Sequence, residues 1–136
     1  MNSNKAKLLL SLIFVSSIVL NMVFAFLKRN DVWPDHFTKL ILTVLGIYSV
    51  HIAAIFGASS FATGSSRIIN LNLLVLAVLL CIIWNALITV RIGMFAFSRD
   101  DVSEVITYVN TVSLAGSFLV IGVITAFYSK EANANN

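Results

Sequence analysis

An all-α, four-helix transmembrane bundle is the fold this sequence predicts, and three observations predict it. Of its 136 residues, 59% are hydrophobic and only 11% are charged, whereas a soluble domain carries about a quarter charged residues. The mean hydropathy is +0.95. The apolar residues gather into four runs, at about 8–27, 40–61, 68–97 and 103–128, each near or above the roughly 20 residues that cross a bilayer. Together these exclude a soluble globular enzyme, a disordered tail and a nucleic-acid domain built on a basic surface. Residues 1–136 read as a single membrane domain.

The first run follows Lys5 and Lys7. It is longer than the core of a signal peptide and no A-x-A site follows it, so it reads as a retained helix. The only proline, Pro34, stands in KRNDVWPDHFTK. Proline lacks an N–H and fixes φ, which breaks the chain between the first two spans. The second span carries small residues four apart, Ala53 with Gly57 and Ala54 with Ala58. That spacing lets helices approach closely, within one chain or between copies. A Ser/Gly-rich loop, 58–67, leads into the third span, and the tight SRDD turn (98–101) into the fourth. The tail after Tyr128 is polar and reads as disordered.

Four spans put both termini on one side. Lys and Arg are nearly balanced across the two faces, with a weak lean towards cytoplasmic termini. Trp33, Phe37, Phe95 and Tyr108 fall near the ends of the spans, where aromatic side chains anchor at the interface. A bacterial inner membrane is the expected location.

Polar groups within a bilayer are costly and mark partners or purposes. They crowd the half nearer the first and third loops: Asn21, Asn85, Thr89, Arg91, Glu104, Thr107, Asn110 and Thr111. That gradient predicts a vestibule narrowing towards a dry constriction, or hydrogen bonds that glue helices together. In the fourth span, Ser103, Glu104, Thr107, Asn110, Thr111, Ser113 and Ser117 cover about half the circumference at 100° per residue. Such a stripe must face other helices or water, so this span, with part of the third, is expected to be pore-side or core-side.

Arg91 lies about 9 Å inside the end of the third span at 1.5 Å per residue. Three readings are open: it snorkels to headgroups, pairs with Glu104 or Asp101, or lines a water-filled path. Trp84, seven residues earlier, is expected on the same face. His51 sits alone in mid-membrane, with a hydrogen-bonded structural role or a part in gating. No second membrane histidine exists to complete a haem pair. Cys81 is the only cysteine, so no internal disulfide forms and an inert thiol is expected.

No paired cysteines, metal-ligand spacing, intramembrane acid pair, nucleophile elbow or phosphate loop occurs in the chain. No enzyme, metal or cofactor is therefore expected. The pattern favours a homo-oligomeric ion channel or pore-forming effector. Arg91, Asn85, Thr107, Asn110, Thr111 and Trp84 would line it, and Arg91, Glu104 and His51 would supply a gate or ion pair. The alternatives are an accessory subunit of a larger membrane complex and a transporter of small or lipid-linked solutes.

In span number the chain is similar to small multidrug-resistance exporters, but its first span lacks their membrane-embedded glutamate. In length, span count and basic charge it resembles the four-span membrane effectors of bacterial antiphage systems, including the Hailong type. That resemblance implies an oligomeric channel gated by an anionic, nucleotide-like ligand from a partner enzyme encoded in the same operon. Arg91, Arg99, Lys28 and Arg29 are the cations of one side that fit such a ligand.

Overall fold

The computed structural model describes residues 3–60 and 71–133, with side chains over 5–57 and 71–126. Four α-helices follow one another: α1 (Ser3–Leu27), α2 (Pro34–Ser60), α3 (Leu71–Phe97) and α4 (Val102–Asn133). Each is long and apolar enough to cross a membrane. Helices are the form such segments must take, because in hydrocarbon only an intrahelical ladder satisfies every backbone group. The described residues are all-helical, and their four apolar helices are those of an integral membrane protein.

Helix boundaries follow local chemistry more than the edges of the apolar runs. One turn of 3-10 helix, Arg29–Asp31, follows α1. Helix α2 then starts at Pro34, well before its apolar run. Proline is a favoured first helical residue because its missing N–H has no partner there anyway. Phe37 N–H bonds to Trp33 O at 3.0 Å, and Thr38 Oγ1 donates to Pro34 O at 2.9 Å. Pro34 therefore opens a helix; it does not sit within a loop. Asp101 caps α4, its Oδ1 accepting from Ser103 N–H at 2.9 Å. An acidic cap there meets both the orphan N–H groups and the positive end of the helix dipole. Helix α4 continues to Asn133, so part of the polar tail expected to be disordered is helical. Most of the second loop, with Phe61, lies outside the described residues, as do the side chains of Ala58 and Tyr128.

Helix α1 packs on α2 and α3, and α4 packs on the same two. The pairs α1/α4 and α2/α3 thus lie on the diagonals of a square bundle. Buried residues recur every three or four positions, as one helix face requires. Leu74, Ala77, Cys81, Trp84, Ile88, Ile92 and Phe95 form that stripe on α3, and Leu40, Val44, Tyr48, His51 and Ile55 on α2. The opposite faces carry exposed Leu12, Val19, Leu42, Val90 and Phe118, an exterior suited to lipid. Phe95 is buried and so anchors no interface, while Trp33 is 79% exposed.

Two close approaches hold α3 in place. A Cβ built on Gly93 would lie 3.2 Å from the Phe24 ring of α1, and one built on Gly116 of α4 would lie 2.8 Å from Trp84 Nε1. Only a residue without a side chain fits against the indole at Gly116. Two of the small residues of α2 lie on the outside of the bundle. Ala53 and Gly57 are exposed, and a Cβ on Gly57 would meet nothing within 4 Å. Ala54, on the adjoining face, is half-buried.

Candidate functional site

The centre of the bundle is filled by aromatic rings from three helices. The His51 and Trp84 rings are 4.2 Å apart. Phe14 stacks on His51 at 5.4 Å, and Tyr48 meets Trp84 edge-on at 5.4 Å. Tyr48 and His51 of α2 meet Trp84 of α3 across one diagonal, and Phe14 packs against them from α1. Trp84 is accordingly a core residue packed against His51.

Asn21, His51 and Asn85 pack into this core. Asn21 Nδ2 donates to the Tyr48 hydroxyl at 2.9 Å. Asn85 Nδ2 donates to Cys81 O at 2.6 Å, within its own helix. His51 Nδ1 bonds to Ile47 O at 2.8 Å. Asn85 was expected on a water path, but it is buried in the core, where an intrahelical carbonyl satisfies its amide. His51 is buried, and its one hydrogen bond stays within its own helix. His51 Nε2, Trp84 Nε1, Asn21 Oδ1, Asn85 Oδ1 and Thr89 Oγ1 are buried without a hydrogen-bond partner among the described residues, an unusual density for a packed interior.

The stripe on α4 divides in two. Ser113 turns inward and is buried. Ser103, Glu104, Thr107, Asn110 and Thr111 point out of the bundle and are exposed. Thr107 Oγ1 donates to Ser103 O, and Thr111 Oγ1 to Thr107 O, each at 2.8 Å. Those two hydroxyls are therefore satisfied within the helix. The Asn110 amide has no hydrogen-bond partner among the described residues. It lies about 12 Å along α4 from Val102 at 1.5 Å per residue.

At the end of the α3–α4 hairpin, Arg91 Nη1 donates to Asp100 Oδ2 at 2.5 Å. The ion pair anticipated with Glu104 or Asp101 is thus made with Asp100. Asp101 is engaged as the α4 cap, and Glu104 has no ion pair among the described residues. The pairing works because the SRDD turn folds back: Asp100 N–H bonds to Ser98 Oγ at 3.3 Å, which aims the carboxylate down α3. The Arg91 hydrogen bond, helped by Ser98, holds the Asp100 carboxyl below its usual range. The Ser103 amide does the same for Asp101. Arg91 also lies 5.9 Å from the Tyr108 ring centroid. Lys28 pairs with Asp31 at 3.4 Å. Sequence spacing missed Asp100, which stands nine residues after the arginine. No group of three metal-ligating side chains occurs among the described residues.

No protein-family model, curated protein or solved structure matches this chain.

Proposed function

We propose that the chain forms a homo-oligomeric ion channel, with the outward polar face of α4 lining a path between subunits. The observation that carries this reading is Asn110, an unpartnered amide exposed on a helix whose surroundings are apolar. Burying such a group in hydrocarbon costs several kcal/mol, whereas a second subunit or a hydrated axis satisfies it. Closed symmetry around an axis brings copies of one face together. The ring-filled centre keeps ions out of the single bundle, which moves the path to the interface. Beyond Thr111 the same face becomes apolar with Leu114 and Phe118, 72% and 78% exposed. A ring of such residues is suited to gating by dewetting.

Within this reading Arg91 serves the hairpin, since its charge is balanced by Asp100. An anionic effector would then meet Arg29 and Arg99, exposed cations of the same end with no ion pair among the described residues.

The test is ion flux through liposomes holding the purified protein, with native mass spectrometry of the same sample. A single symmetric oligomer that conducts, and loses conduction in Asn110→Leu, supports the channel. A conducting Asn110→Leu variant removes α4 from the path. A silent monomer favours instead an accessory subunit that docks a partner through the same face.

A further inference from the structure

Three surface depressions run end to end along the α3–α4 seam. The first, of 300 Å³, is lined by Leu80, Trp84, Leu87, Gly116 and Leu119 among others. The second, of 470 Å³, shares Ile83 and Leu87 with it and adds Val90, Met94 and Tyr108. The third, of 520 Å³, shares Arg91 and Tyr108 with the second and ends on Ser103, Glu104 and Thr107. Leu119 and Glu104 are fifteen residues apart on α4, about 22 Å at 1.5 Å per residue. One leaflet of hydrocarbon is about 15 Å, half of a ~30 Å core. The seam therefore has the length of one acyl chain with its glycerol and head.

Its polarity has the same layout. The first depression is apolar and the second is apolar up to Arg91, where it meets the third, so the charges stand at the hairpin end, where a membrane surface lies. Arg91 is deeper, six residues inside the end of α3, and Glu104 is shallower, two residues past the start of α4. Arg91 gives one donor to Asp100, and a guanidinium carries five. Glu104 is exposed and has no ion pair among the described residues. A cation-binding carboxylate thus sits outside an arginine with donors to spare. The carboxylates of Asp100 and Glu104 disfavour a head with net negative charge.

We propose that this seam binds a phospholipid with a phosphoethanolamine head, its phosphate on Arg91 and its primary ammonium on Glu104. In such a lipid the phosphate is nearer the glycerol and the ammonium is outermost, the order of the two protein charges. A quaternary ammonium offers no N–H to Glu104, and a phosphoglycerol head brings only negative charge. The chain lies over Tyr108, Leu87 and the Trp84–Gly116 contact. The site belongs to one subunit and does not rest on the channel reading.

The test is native mass spectrometry of the full chain in detergent, with an equimolar mixture of phosphatidylethanolamine, phosphatidylcholine and phosphatidylglycerol. Wild type is expected to retain the ethanolamine lipid about fivefold over either competitor, the size of one charge-assisted contact. Glu104→Gln, a change of charge without change of shape at an exposed position, is expected to bring its ratio to phosphatidylcholine near one. Ala115→Phe, which fills the inner groove, is expected to lower retention of all three. Preference for phosphatidylglycerol, an unchanged ratio in Glu104→Gln, or a second protein copy cross-linked over Ala115 in place of lipid would each overturn the proposal. Lipid retention is read whether or not the protein conducts, so the two proposals fail separately.

Discussion

The Trp84 indole of α3 rests against Gly116 of α4, with no room for a β-carbon between them. Trp84 is held from behind by His51, Phe14 and Tyr48, so it has nowhere to retreat. Gly116→Ala is expected to destabilise by about 1–3 kcal/mol, the cost of overpacking a full core. Gly116→Leu should cost more. Trp84→Phe in the Gly116→Ala background should recover part of the loss, because the smaller ring vacates the clash. Thermal unfolding in detergent measures all three. Additive effects of the two substitutions would show that the residues do not touch.

His51 contributes packing and one hydrogen bond to the centre of the bundle. His51→Phe preserves the ring stack and removes the unpartnered Nε2, so stability is expected to hold within about 1 kcal/mol or rise. His51→Ala leaves a cavity and is expected to cost about 2–5 kcal/mol. Flux through liposomes should be the same for His51→Phe and wild type. A shifted pH dependence of flux in that variant would instead make His51 a gating group.

The inward and outward polar residues should differ in chemical access. In a Cys81→Ala background, single cysteines at positions 107, 110 and 111 are expected to react with a water-soluble thiol reagent in liposomes. Cysteine at 85 should stay unmodified, since Asn85 is buried. Reaction at 85 with protection at 110 would place water inside the bundle and lipid on α4.

The hairpin pair sets a pH dependence of stability. Asp100 is held below the usual carboxylate range by Arg91 first and Ser98 second. A carboxyl lowered by folding stabilises in its charged form. That contribution is complete above its unfolded value, near pH 4, and disappears as pH falls through the lower folded value. Melting temperatures should therefore be level from pH 7 to about pH 5 and fall below about pH 4. Asp100→Asn should melt lower at pH 7 and show a flatter acid limb, and the double variant with Asp101→Asn a flatter one still. An unchanged acid limb in both would remove the pair as a source of stability.

Hydropathy alone marked the four spans, because crossing a bilayer demands long apolar runs and leaves few alternatives. The ends of the helices were less legible. Pro34 reads as a break, yet it begins a helix, since the first helical position has no use for an N–H. Direction was also hidden. Asn85, Asn110 and Thr111 look alike on a helical wheel, but Asn85 finds a carbonyl of its own helix in the core while the α4 residues face outward. The spacing of polar positions cannot separate those cases, because lipid and core are both apolar and either side of a helix can carry the same residues. Arg91 was visible as an intruder in an apolar run. Its partner was not, because the choice among Asp100, Asp101 and Glu104 depends on how SRDD turns and on which acid the α4 cap claims first.

The Arg91–Asp100 pair also bears on how the protein enters its membrane. An arginine within a span resists partition by about 2.5–3.5 kcal/mol when it stands alone at mid-depth, and by less near the end. Its counter-charge lies beyond the end of α3, in the turn that follows. Helix α3 therefore carries an uncompensated charge until that turn has been synthesised and folded back. Insertion of the third and fourth spans as one hairpin delivers the two charges as a neutral unit, which couples their integration in time.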